Sequence, residues 1–150
     1  MSIHILKSTT IINQPLTKVF DFFSKAENLD KLTPTYLKFR IVTPLPIDMK
    51  PGALITYQLK LYGIPFSWTT KITKWEPPYL FEDSQLKGPY KTWIHEHRFE
   101  EIDGKVHMYD YLQYESPGWF LEPLINAMFV KANVHKIFEY REKALKAIFK

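Results

Sequence analysis

Residues 92–115 constrain the fold more than any other stretch of the chain, because two alternating runs there flank the dipeptide Asp103-Gly104. Asp-Gly is favoured where both central residues of a two-residue type I′ turn need positive φ, so it predicts an antiparallel hairpin of fixed register. That register sets Phe99 against Met108, His97 against Asp110, His95 against Leu112 and Trp93 against Tyr114 on one face. The other face pairs Arg98 with Tyr109 and Glu100 with His107. A slip by one residue would reverse every side chain, so compatible partners on both faces support the assignment.

Period-two patterning continues upstream. A strand over Tyr79 to Leu86 puts Phe81, Asp83 and Gln85 on the inner face shared by Trp93, His95, His97 and Phe99. Ile55, Tyr57, Leu59 and Leu61 alternate with polar residues, and Gly63-Ile64 reads as the turn of a second hairpin, with Leu61 facing Phe66 and Leu59 facing Trp68. Leu37, Phe39 and Ile41 predict a further half-buried strand, followed by a Pro-rich link over residues 44–52. Near the start, a strand over Ile3 to Ile12 precedes Asn13-Gln14-Pro15, a helix start in which Pro loses no hydrogen bond. Val19, Phe20, Phe22 and Phe23 give that helix its apolar bulk, and a second short helix over Asn28 to Leu32 ends at Thr33-Pro34.

From Trp119 onward there is no Pro after Pro123 and no Gly. A helix of roughly 27 residues at ~1.5 Å each would be about 40 Å long, enough to cross the sheet. Its apolar stripe is Ala127, Val130, Val134, Ile137, Phe138, Leu145 and Ile148, with Arg141 inside it and lysines opposite. The early segment Leu121, Leu124, Ile125 and Met128 makes the helix apolar all round there. It is either a separate turn, or covered by the 44–52 link, or exposed as a cavity lid, a homodimer contact or a membrane-docking surface.

The 150 residues suit one domain, residues 1–150, able to bury roughly two thirds of the unfolded surface. The absence of cysteine excludes thiolate metal sites and suits a reducing compartment, so a cytoplasmic location is expected. The N-terminus shows no basic leader with a long apolar run, and no apolar stretch approaches a membrane span, so no integral membrane segment is expected. The net charge of +4 falls largely on one helix face as Lys131, Lys136, Lys143, Lys146 and Lys150, without the interleaved aromatics of a nucleic-acid groove; no nucleic-acid partner is expected. Rings make up 16% of the residues, more than a small core needs, so they are expected to wall a cavity.

Several sets of residues carry a family resemblance. They are Pro15, Val19-Phe20, Phe23, Asn28-Leu29 and Leu32-Thr33-Pro34, then Tyr57, Leu59, Leu61, Gly63, Pro65, Trp68, Thr70, Ile72 and Trp75. Phe81, Asp83, Gln85, Gly88-Pro89, Trp93, His95, His97 and Phe99 follow, with Asp110, Tyr114, Phe138 and Tyr140-Arg141 completing the set. In this order the chain resembles the SRPBCC superfamily, the START-like group of birch-pollen-allergen-like proteins and polyketide cyclases, and within it a bacterial ligand-binding branch. The resemblance implies an α+β helix-grip fold: a seven-stranded curved antiparallel sheet around a long C-terminal helix, two short helices after the first strand, and a cavity between sheet and helix. Members bind lipids, sterols or plant metabolites, cyclise polyketides, or serve as oxygenase domains and co-chaperones, so the fold leaves open whether a reaction is catalysed.

The expected ligand is therefore a small hydrophobic molecule, walled by Tyr57, Trp68, Phe81, Trp93, Phe99 and Tyr114 from the sheet and Val134 and Phe138 from the helix. Asp83, Gln85, His95, His97, Asp110 and Arg141 supply polar groups to the same face. Buried charges must be paired, so Arg141 is expected to be clamped by Asp83 or Asp110, either as a purely structural lock or with part of the network orienting a polar end of the ligand. A His97–Asp110 pair could fix a histidine tautomer and act as acid and base in a cyclase or hydratase. His95 and His97, ~6.6–6.8 Å apart along one strand face, could chelate a metal given a third ligand. Arg141 competes for the neighbouring acids, and neither metal nor cofactor is expected.

Overall fold

The computed structural model describes residues 3–61, 63–117 and 122–150, and the side chains of all of these except residues 122, 123, 127 and 128. Strand β1 (His4–Ile12) leads into helix α1 (Leu16–Phe23), then 3-10 turns over Ala26–Leu32 and Thr35–Leu37. The remaining strands are β2 (Arg40–Ile41), β3 (Leu54–Leu61), β4 (Ile64–Glu76), β5 (Leu80–Lys87), β6 (Thr92–Ile102) and β7 (Lys105–Glu115). The chain closes with α2 (Glu122–Ile125), a π-helical turn over Asn126–Val130, and α3 (Lys131–Ile148).

The seven strands form one antiparallel sheet in the order β1-β7-β6-β5-β4-β3-β2. This is the helix-grip α+β architecture. The β6–β7 hairpin has the expected register, with His97 opposite Asp110, and Asp103 and Gly104 take φ of 51° and 77°. Register shifts between β4 and β5 at Thr69/Thr70 and Ile72/Lys74 bend the sheet, as an extra residue on one strand must, so its inner face is concave.

Four expectations need correction. In the second hairpin Leu61 pairs with Ile64 and Leu59 with Phe66, so Gly63, at φ 77°, lies in the turn and Ile64 already belongs to the next strand. The pairing is displaced by two residues from the expected one, which leaves every side chain on its expected face. Leu37 to Ile41 is not a continuous strand: Lys38 is left-handed, at φ 52°, and only Arg40 and Ile41 pair with β3. Leu37 is nevertheless buried, while Phe39 and Ile41 pack against the core.

The long C-terminal helix is interrupted by the π turn, which no Pro or Gly announces. Asn126, buried within that turn, accepts a hydrogen bond from Tyr114 Oη at 2.9 Å, tying the turn to the end of β7. Finally, Ile148 at the end of the stripe is exposed, and Phe149 is buried instead. Trp119 and Leu121 lie outside the described residues, as do the side chains of Ala127 and Met128. In the rest of the apolar segment, Leu124 and Phe129 are exposed and Ile125 is half-buried, while Ile47 and Met49 of the 44–52 link pack on the core.

Two apolar clusters fill the space between sheet and helices. One gathers Tyr57, Trp68, Ile72, Tyr90, Leu112, Val134 and Phe138 among others. The second gathers Val19, Phe20, Phe81, Phe99, Met108 and Leu145 under α1 and the end of α3. Each fully buried large side chain contributes roughly 1.5–3 kcal/mol, and in both clusters the inward half of an alternating strand meets a helix. Among the described residues no helix is long and apolar enough to cross a membrane.

Candidate functional site

Where the concave sheet and α3 diverge, packing leaves a cavity of about 180 Å³. Its walls follow strand periodicity. Ile55, Tyr57, Leu59 and Leu61 project from β3, and Trp68, Thr70 and Ile72 from β4. Phe81 and Asp83 come from β5, and Trp93, His95 and His97 from β6. Ile137, Phe138 and Arg141, spaced three and four apart, present one face of α3 to them. Phe22, Phe23, Leu29 and Leu32 close the cavity from α1 and the first 3-10 turn, joined by Phe39 and Met49.

At one end the rings form a continuous wall. Tyr57 stacks on Trp68 at 5.7 Å between centroids, Trp68 meets Trp93 edge-on at 5.2 Å, and Tyr90 touches both tryptophans. Tyr90 is placed there by Gln85, whose amide donates to the Tyr90 carbonyl at 2.7 Å and accepts from its N–H at 3.2 Å.

Elsewhere the wall is polar, and its protons can be assigned from the contacts. Arg141 Nη2 lies 3.1 Å from His97 Nδ1 and 3.2 Å from Asp110 Oδ1. A guanidinium can only donate, so His97 Nδ1 carries the lone pair and Nε2 carries the hydrogen. That Nε2–H donates to Asp83 Oδ2 at 2.8 Å. Burial holds His97 well below the usual imidazole range, and His95 and Arg141 push the same way, so the ring is neutral. It is sandwiched between Phe81, stacked at 3.9 Å, and His95, at 3.7 Å.

Asp110 lies behind this wall. Burial alone would raise its carboxyl, but Arg141 and the hydrogen bond from His95 Nε2 at 2.8 Å hold it down to about 2. It is therefore an anion, and His95 Nε2 must be the donor. Asp83 behaves oppositely: burial raises its carboxyl above the usual value, offset in part by His95, Arg141 and Thr70. About a fifth of its side chain remains accessible, against 2% for Asp110. Beside it the Tyr57 phenol, pushed well up by burial and by Asp83, stays protonated.

The structure thus brings Tyr57, Trp68, Phe81, Asp83, Trp93, His95, His97, Phe138 and Arg141 together around the cavity. It does not bring the other candidates to the wall. Phe99 packs in the second cluster, Val134 is fully enclosed in the first, and Tyr114 is spent on Asn126. Gln85 braces a loop, and Asp110 anchors Arg141 from behind. The expected His97–Asp110 pair is present as a 3.5 Å contact from His97 Nδ1 to Asp110 Oδ1, but the shorter hydrogen bonds of both residues go elsewhere. The two residues are opposite in register, but Asp110 takes its hydrogen bond from His95, and His97 gives its own to Asp83 one pair along.

Asp83, His95 and His97 each offer one ligand atom within 4.8 Å of the others, a two-histidine, one-carboxylate set. The proton inventory opposes a metal there. With Nδ1 of His97 accepting from Arg141, a cation on Nε2 would require an imidazolate, and a cation on Nδ1 would have to displace the guanidinium. Instead His97 donates to Asp83 and His95 to Asp110, and Arg141 links the two through His97 and Asp110.

Among the wall residues missed in sequence are Phe22, Phe23, Leu29, Leu32, Phe39, Met49 and Tyr90. Phe22 and Phe23 were visible as helix bulk, but nothing in their spacing separates a cavity wall from a filled core. Tyr90 sits in a turn without periodicity.

Comparison with known proteins agrees with this architecture. The model of the family described as polyketide cyclase / dehydrase and lipid transport matches residues 12–135. No curated protein matches the chain. Among solved structures, an aromatase/cyclase from Streptomyces superposes with a TM-score of 0.76 at 14% identity, covering 97% of this chain and 93% of that one. Major latex-like protein 151 from Panax ginseng gives 0.70 at 10% identity, covering 98% and 97%. A protein from Mycobacterium smegmatis gives 0.70 at 17%, covering 99% and 96%. At these identities the likeness is one of fold.

Proposed function

The chain belongs to the polyketide cyclase / dehydrase and lipid transport family, and on that footing we propose that it binds a small, largely apolar molecule in the cavity between its sheet and α3, as a carrier or sensor. The observation that carries this reading is the composition of the cavity: aromatic and aliphatic side chains on nearly every side, and one polar patch at Asp83, His97 and Arg141. Ligand sites are built this way, with apolar walls for affinity and a few placed polar groups for orientation. The cavity is also of a useful size, since an apolar cavity of about 150 Å³ accepts benzene. The test uses N-phenyl-1-naphthylamine, a neutral dye that brightens in apolar surroundings. Saturable brightening is expected with the native chain and none with Leu59→Trp, which fills the cavity. Equal brightening in both would place the dye elsewhere and remove the reading.

A second reading, acid–base catalysis of the cyclase or hydratase kind, is favoured by one feature in particular. His97 has no free nitrogen, since Arg141 occupies one and Asp83 the other. The group able to exchange a proton with a bound molecule is therefore Asp83, accessible and with its carboxyl raised by burial, with His97 holding it in position. The catalytic candidate shifts accordingly from the pair His97 and Asp110 to Asp83. Turnover of a β-hydroxy ketone probe, lost in Asp83→Asn but retained in Asp110→Asn, would establish it; loss in neither would leave binding alone.

A further inference from the structure

The hydrogen bonds of the polar wall run in one direction. Arg141 donates to His97 Nδ1 at 3.1 Å, and His97 Nε2 donates to Asp83 Oδ2 at 2.8 Å. No member of this series can be reversed, because guanidinium is never an acceptor and a neutral imidazole carries a single N–H. The series therefore ends on Asp83 as an acceptor. A carboxylate has about four acceptor sites, and His97 and Thr70 use two of them. Asp83 is also the member that opens onto the cavity, with a fifth of its side chain accessible, whereas Asp110 is enclosed. Asp83 therefore keeps spare acceptor capacity on the cavity wall.

A second observation concerns cations. A carboxylate-headed ligand, such as a fatty acid, needs a positive partner. Arg141 lines the cavity with its Nε–H buried and unpartnered among the described residues, but its charge is already balanced by the Asp110 anion, and its Nη2 is committed to His97 and Asp110. Lys25, on the rim, is paired with Asp21 at 3.6 Å. A second anion buried beside Asp83 would meet like charge in a poorly solvated site, where repulsion is strong.

Resting on the cavity-binding reading above, we propose that the cavity selects ligands with a hydroxyl group, alcohol or phenol, donated to Asp83, and rejects the corresponding carboxylates. The aromatic wall of Tyr57, Trp68, Tyr90 and Trp93 takes the apolar body, and Asp83 orients the hydroxyl end.

The experiment compares three probes that share one ring system, naphthalene, 2-naphthol and 2-naphthoate, by calorimetry at pH 7. The native chain is expected to bind 2-naphthol about tenfold more tightly than naphthalene, the size of one hydrogen bond to a charged acceptor, and 2-naphthoate at least tenfold more weakly than 2-naphthol. In Asp83→Leu the preference for the hydroxyl should fall below about threefold. Comparable affinity for all three probes in the native chain would overturn the selectivity while leaving the cavity in use, as would a hydroxyl preference that survives in Asp83→Leu. No binding of any probe would overturn the cavity reading itself, and the selectivity with it.

Discussion

Replacing Arg141 by Ala tests the network at its most buried charge. The side chain is 9% exposed, donates to both His97 and Asp110, and lies over the rings of Phe23 and Phe138 at 5.4 and 6.0 Å. Truncation leaves the anion of Asp110 with its hydrogen bond from His95 and without a neighbouring cation. Removing one partner of a buried ion pair costs about 3–5 kcal/mol. The remaining His95 contact argues for the lower half of that range. The assay is urea unfolding followed by tryptophan fluorescence, read as a midpoint shift at constant slope. A double-mutant cycle locates the partner. Arg141→Ala with Asp110→Asn should couple by about 1–3 kcal/mol, as groups in one network do, and Arg141→Ala with Asp83→Asn by clearly less, because His97 stands between them. A coupling near zero to Asp110, or a larger one to Asp83, would refute the assignment of Asp110 as the anchor.

Two further outcomes follow from the same contacts. Asp110, held at about 2 in the folded chain against about 3.9 unfolded, adds stability above the unfolded value that is lost as pH falls toward 2. Unfolding free energy should drop by about 2–3 kcal/mol over that window on this account, and Asp110→Asn, measured by the same titration, should lack that part of the slope. Gln85→Leu removes the two hydrogen bonds that Gln85 makes to Tyr90, so hydrogen exchange at residues 88–91 should quicken and N-phenyl-1-naphthylamine should dissociate faster; unchanged exchange would show the loop to be held by other contacts.

Much of this was readable in residue order, and the remainder has specific causes. The β6–β7 register followed from Asp103-Gly104, because positive φ at both positions leaves little choice of turn. Gly63 was ambiguous, since glycine serves either central position of a two-residue turn; the resulting displacement by two kept the faces and hid the error. Leu37, Phe39 and Ile41 are inward in the fold as their spacing suggested, yet the left-handed Lys38 shows that alternating burial does not require a strand. The polar cluster was visible as a set of inward residues, but its wiring was not. Register states which residues are opposite, whereas the bonds from His97 to Asp83 and from His95 to Asp110 depend on side-chain rotation. The cavity itself was least visible, because it depends on two bulges in β4–β5 and on how far α3 stands from the sheet.

On the proposed function, an apolar molecule occupies the space beneath Trp68 and Trp93. Nitrogen-edited proton NMR of the labelled chain, titrated with 2-naphthol, tests it most directly, because the indole N–H of each tryptophan gives its own signal. Saturable shifts are expected at the Trp68 and Trp93 indoles and at the amides of Tyr57 and Phe138, all lost in Leu59→Trp. Shifts confined to the exposed Leu124 and Phe129, with both indoles unmoved at saturation, would contradict it.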